Sequence, residues 1–173
     1  TGSNLVAIGK DGLAANTTAS HNVAIGHDAL QANQTGTDCV AVGGNALQAN
    51  TVSNNTAVGR SALYTSSTGT QNTAVGTAAL YNSNADNNTG VGYNALQANT
   101  TGTNNTALGK GAGQTQTTLH GCTWIGTDAG RVNIASNNTG VGAGALYANT
   151  TGTQNTAVGT GIYGSTQGAL GAN

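Results

Sequence analysis

Proline, methionine, phenylalanine and glutamate are all missing from this 173-residue chain, and charged residues make up only 5% of it. An ordinary globular domain carries roughly 25% charged residues. Typical disorder is charge-rich and poor in β-branched side chains, so that class does not fit either. The net charge is −1, and the four cations, Lys10, Arg60, Lys110 and Arg131, are spread along the length, so that no basic stripe is expected to be built from them. Nothing in that charge balance calls for nucleic acid or an anionic membrane as partner. A run of about 18 apolar residues is also missing, which excludes a transmembrane helix. Without glutamate, and without a Ser/His/Asp set that stands apart from the surrounding pattern, acid–base catalysis has no obvious machinery. Gly109-Lys110-Gly111 lacks the spacing of a phosphate-binding loop. The expectation is a non-enzymatic protein with no cofactor.

What the chain does have is one phrase repeated ten times, Asn-Thr-Ala-Val-Gly in its commonest form, with Ala-Leu three and four residues later. The closing glycines are Gly9, Gly26, Gly43, Gly59, Gly76, Gly92, Gly109, Gly126, Gly142 and Gly159, at steps of 16 or 17 residues. A short, sustained period is the mark of a repeat architecture. It places the whole chain, 1–173, in a single repeat domain, with irregular coils around 109–137 and a tail or cap over 160–173.

Aligning the coils on the glycine makes the columns readable. One residue before it stands Val, Ile or Leu every time, and three before it Val or Thr. Alternation of β-branched residues at period two is a strand signal. Ala or Gly sits between them in every coil but one. This predicts a strand with its aliphatic side chains inward and a nearly bare face outward. That bare column, Ala24, Ala41, Ala57, Ala74, Gly90, Ala107, Gly140 and Ala157, is the expected subunit interface, since a face without side chains lets another backbone approach closely. Leucine four residues after the glycine (Leu13, Leu30, Leu47, Leu63, Leu80, Leu96, Leu146) predicts a second short strand. The rest of the coil is a polar turn, where the 16-residue coils lose their residue. A helix is opposed by a glycine in every coil and by the lack of a 3.6-residue apolar stripe. The fold class is therefore all-β, a parallel β-solenoid or β-roll of about ten coils. At 4.7–4.9 Å per stacked strand it forms a rod of roughly 50 Å.

The units His21-Asn22-Val23-Ala24-Ile25-Gly26 and Ser3-Asn4-Leu5-Val6-Ala7-Ile8-Gly9 resemble the head repeats of YadA-like trimeric autotransporter adhesins. The longer Asn-Thr-Thr-Gly-Thr-x-Asn-Thr-Ala-Val-Gly form is similar to repeats in phage tail fibres. The resemblance covers nearly the whole chain. It implies a left-handed parallel β-roll, a homotrimer, and an extracellular place on a cell surface or virion fibre, where the chain mediates attachment to a host cell, matrix protein or glycan.

The departures from the repeat are the candidate sites. Trp124 takes the bare column, flanked by Gly113 and Gly130 in the leucine column. It either fills the space those glycines open or, with Arg131, forms an exposed contact patch. Tyr64, Tyr81 and Tyr147 share the column five after the glycine with several glutamines, and such a ladder could touch carbohydrate. Asp11, Asp28 and Asn45 share a column whose oxygens could clamp a cation, although a solvated turn is the preferred reading. His21, His27 and His120 have no partner at zinc-ligand spacing. Cys39 and Cys122 stand five coils apart, too far for an intrachain disulfide; they read as buried or half-buried free thiols, with an interchain bridge the alternative if their column lies near a trimer axis.

Two rival functions remain open. Uncapped ends could stack chains end to end into a filament. The column nine after the glycine, with Thr18, Thr35, Thr68, Thr101, Thr118 and Thr151, could bind ice, although Val52, Ala85 and Ala135 interrupt it.

Overall fold

The computed structural model describes residues 2–161. The expected tail or cap over 160–173 therefore lies almost wholly outside the described residues. Ten three-residue strands follow one another: β1 (Val6–Ile8), β2 (Val23–Ile25), β3 (Val40–Val42), β4 (Thr56–Val58), β5 (Thr73–Val75), β6 (Thr89–Val91), β7 (Thr106–Leu108), β8 (Thr123–Ile125), β9 (Thr139–Val141) and β10 (Thr156–Val158). They form one parallel sheet in chain order, each strand paired only with its sequence neighbours. Register is strict: Val23 faces Val40, Ala24 faces Ala41 and Ile25 faces Val42, and so on along the stack. The chain is a β-solenoid with one coil per repeat, as expected.

The glycine that closes each strand fixes the stacking. Gly76 has φ of +126°, a conformation that L side chains rarely adopt. A Cβ there would sit 2.7 Å from the carbonyl oxygen of Gly92 in the next coil. Consecutive coils meet backbone to backbone at this corner.

The second strand is not formed. After the glycine the backbone makes successive tight turns: Ala29 N–H donates to the Gly26 carbonyl (3.4 Å), Gln31 to Asp28 (3.3 Å) and Asn33 to Leu30 (3.1 Å). Asp28 and Leu30, third residues of the first two turns, have φ of +57° and +50°. A positive φ at that place is what a type II turn demands. Coils are still tied across this side, for Leu30 N–H donates to Ala46 O and Leu63 N–H to Ala79 O, both at 3.1 Å. The ladder is that of a sheet; the backbone conformation is not.

Leucine is an unusual tenant of the left-handed region, which costs a residue with a Cβ about 1–3 kcal/mol. Leu30, Leu47, Leu63, Leu80 and Leu96 are all fully buried. Burying a leucine contributes about 1.5–3 kcal/mol plus its packing. The two effects are of similar size, and packing decides for leucine.

The orientation expected for the strand is reversed. Ala24, Ala41, Ala57, Ala74, Ala107 and Ala157 point into the solenoid with Gly90 and Gly140, and all are buried within the single chain. The flanking Val, Ile and Thr residues point outward. The leucines entering from the opposite wall set this arrangement. A Cβ added at Gly90 would already lie 3.1 Å from Leu80 Cγ, so a valine in that column would overfill the interior. The tiny column is thus core and cannot be a subunit interface.

A second ladder runs beside the core. Asn22, Asn55, Asn88, Asn105 and Asn138 each donate an amide proton to a carbonyl fourteen residues on, at Gly36, Gly69, Gly102, Leu119 and Gly152, over 2.6–2.8 Å. Their oxygens accept from the next coil, as Asn105 Oδ1 does from Cys122 N–H at 2.9 Å. All five precede 17-residue coils. The three 16-residue coils follow Cys39, Asn72 and Cys122 instead. There the turn carbonyl has moved: Cys39 Sγ donates to Val52 O (3.2 Å) and Cys122 Sγ to Ala135 O (3.8 Å), thirteen residues on. Asn72 keeps the asparagine, and its buried Nδ2 has no partner. Cysteine at this column is the side chain that suits a shortened turn.

Two outcomes follow. Gly76→Ala should lower unfolding stability by about 3 kcal/mol or more through strain and overlap, whereas Gly159→Ala, which meets no atom of the described residues within 4 Å, should lose only the strain component in the same denaturant titration. Asn72→Cys should change stability by less than about 1 kcal/mol, while Asn55→Cys, ahead of a full-length turn, should cost about 1–3 kcal/mol.

Candidate functional site

Because the small side chains go inside, the outer face of the sheet is built from two continuous ladders. One is Ile8, Ile25, Val42, Val58, Val75, Val91, Leu108, Ile125, Val141 and Val158. The other is Val6, Val23 and Val40, followed by threonine in all seven remaining strands. Ile8 is 59% exposed, Leu108 49% and Val158 72%. The first three coils are aliphatic in both ladders; the rest pair a hydroxyl with an aliphatic. Scattered exposed hydrophobics are ordinary, but a contiguous apolar strip marks a contact surface.

The expected sites resolve differently. Trp124 is completely buried. Its indole occupies the room left by Gly113, Gly130 and Gly140, where an added Cβ would collide with the ring. Its Nε1–H donates to Gln116 Oε1 at 3.1 Å, and Gln116 Nε2 donates to Gly130 O at 2.9 Å. The space-filling alternative holds and the exposed contact patch does not. Arg131 lies half-buried with its guanidinium 3.5 Å from Asp128, so the two are not brought together as a surface pair.

Tyr64 and Tyr81 stack on each other, ring centroids 4.9 Å apart and planes 11° from parallel. Each therefore covers one face of the other, in half-buried positions. Tyr147 is half-buried four coils beyond Tyr81 in the same column, separated from it by Gln97, Gln114 and Arg131. Glutamine side chains continue this ladder: Gln48 Nε2 donates to Gln31 Oε1 (3.1 Å), and Gln114 Nε2 to Gln97 Oε1 (3.0 Å).

Asp11, Asp28 and Asn45 do share a turn position, each with positive φ. Asp28 is engaged by His27 Nδ1 at 3.0 Å and by the Gln31 amide at 3.1 Å. Among the described residues no group of three or more His, Cys, Asp or Glu side chains converges. Cys39 and Cys122 are buried free thiols. Desolvation is the main cause that raises both above the ordinary thiol value of 9.0, partly opposed by hydrogen bonds from Asn55 and Asn138 respectively. Thiolate chemistry is thereby suppressed.

One arrangement escaped the sequence reading. Lys10, Arg60 and Lys110 each stand immediately after a repeat glycine, so three of the four cations share one column, three coils apart. All three are exposed. The column is present in the sequence once the coils are aligned on glycine, although its members stand 50 residues apart in both steps.

A shallow cavity of about 80 Å³ lies among Thr115, Gln116, Thr117, Thr118, Leu119, Asn133 and Ile134. Its lining contains no carboxylate, imidazole or thiol. No family model matches the chain, and no curated protein or solved structure matches it either.

Trp124→Ala would empty the largest buried side chain among the described residues. It should cost about 3–5 kcal/mol of stability. The wild-type fluorescence should be that of a dry indole, shifting red only on unfolding.

Proposed function

We propose that this chain is a non-enzymatic extracellular fibre or head module, of the trimeric adhesin or tail-fibre kind, that holds a repetitive surface for attachment to a host cell, matrix protein or glycan. The observation that carries the reading is the aliphatic sheet face along all ten coils of a single chain. Such a strip is stable in water when something covers it. Copies of the same chain are the natural cover. They carry the same face at the same strand repeat, and most homo-oligomers close by symmetry. The number three rests on the resemblance to YadA-like heads. The interface is then the Val/Ile–Thr face, not the alanine column.

Attachment would be multivalent. Three parallel rods repeat any weak contact many times, and avidity grows without a deep pocket.

A specific observation supports one further reading. The turn threonines weighed as an ice-binding rival are interrupted, but Thr56, Thr73, Thr89, Thr106, Thr123, Thr139 and Thr156 form an unbroken ladder on the sheet. An ice-binding protein would leave that ladder open to water as a monomer and show thermal hysteresis.

Light scattering after size exclusion separates these readings. A constant mass of three chains across concentrations is expected, and Val75→Asp, which places a charge at the middle of the face, should reduce it to one chain without unfolding the solenoid. A mass that grows with concentration would indicate the end-to-end filament, and a stable wild-type monomer would overturn the trimer.

A further inference from the structure

Four consecutive coils present, one residue after their glycines, Arg60, Thr77, Tyr93 and Lys110. Arg60, Tyr93 and Lys110 are exposed and Thr77 is half-buried; Tyr93, at 54% exposure, is the only exposed tyrosine among the described residues. At one strand spacing per coil the two cations lie about 14 Å apart, with the hydroxyl and the phenol between them. The row sits around the glycine corner from the sheet face, so association through that face leaves it at the rim.

Charge singles out this stretch. The neighbouring turn column reads Ser61, Ala78, Asn94 and Gly111, without a carboxylate. Elsewhere the same flank neutralises its cations: Lys10 Nζ lies 3.6 Å from Asp11, and Arg131 pairs with Asp128. Neither Arg60 nor Lys110 has an ion pair among the described residues. Within these coils the one acidic side chain, Asp86, faces the other edge, where it accepts from Thr70 N–H at 2.7 Å. The next coil brings Asp128 against the end of the row, its N–H donating to Lys110 O at 2.8 Å, but its carboxylate is paired with Arg131 at 3.5 Å.

We infer that Arg60, Thr77, Tyr93 and Lys110 form a linear site for a segment of an acidic polysaccharide lying along the rod. A carboxylate or sulfate would meet each cation, and a sugar ring between them would lie against Tyr93, with a hydroxyl on Thr77. Two exposed cations with no ion pair among the described residues favour an anionic polymer over a neutral one at this row, although the chain as a whole carries a net charge of −1. The single exposed ring among neutral polar neighbours suits a pyranose, which offers an apolar C–H face and hydroxyls together. A nucleic acid would instead call for a denser basic track and several stacking platforms. The inference rests on the attachment reading and names its ligand class.

The test uses immobilised heparin as the sulfated probe and dextran as the neutral control, near neutral pH. Retention on heparin at low salt is expected, lost at about 1 M salt, where the screening length falls to ~3 Å. Arg60→Gln/Lys110→Gln should reduce affinity at least tenfold, and Tyr93→Ala should weaken it while leaving every charge in place. Lys10→Gln, outside the row, should leave affinity unchanged. Light scattering and thermal melting on the same variants show whether each still folds and assembles. Equal retention on dextran, unchanged retention by the double variant, or equally tight binding of a single-stranded oligonucleotide that Tyr93→Ala does not weaken would overturn the assignment. A protein that binds heparin through this row yet runs as a monomer would sink the trimer and leave the site standing.

Discussion

Everything in this fold depends on how closely one coil approaches the next at the repeat glycine. Gly76 and its counterparts hold φ near +130°, and an added Cβ would press into the following coil's carbonyl. That approach fixes the strand register, and strict register turns every position of the repeat into a ladder. A ladder multiplies whatever residue it holds. It makes a buried amide into a hydrogen-bond chain, an aliphatic into a hydrophobic strip, and an occasional arginine or lysine into a spaced row.

The interior follows from the small cross-section that a coil of 16 or 17 residues encloses. One wall supplies leucine in a strained left-handed conformation, and the other can then offer no more than alanine. Where the leucines give way to Gly113 and Gly130, the opposite wall offers Trp124 instead, with Gln116 bonding its ring nitrogen. Bulk missing from one wall is supplied from the other. The same economy operates in the turns. A shortened coil moves the carbonyl that the ladder asparagine would reach, and cysteine stands there in two of three cases.

The repeat, the parallel stack and the coil count were legible in the sequence because each is written ten times; Trp124 was legible as a break in that pattern, with space filling and surface contact both left open. The direction of the strand faces was not. In a three-residue strand, two β-branched residues flank one tiny one, and period-two alternation says only that they differ, not which faces inward. Leucine was misleading for a similar reason: nothing in its type reveals a positive φ, so a column of leucines read as a strand where the backbone makes linked turns. The pairing of Cys39 and Cys122 with short coils was visible as a correlation, but only the carbonyl positions explain it. The cation row was hidden by counting residues along the chain rather than coils along the rod.

In the function we propose, adhesion and assembly are parts of one argument: an apolar sheet face would be covered by further copies, and the polar flanks would stay available for contact. The most direct test is residue-by-residue solvent exposure of methyl groups in the assembled particle, read from broadening by a soluble paramagnetic agent. The account predicts that the Val58, Val75 and Val91 methyls are shielded in the native particle, while those of Thr68 and Thr101 in the turns broaden strongly. Valine methyls broadened as fully as those of the turn threonines would contradict it, because the face would then be open water-facing surface and the case for a covering partner would be gone.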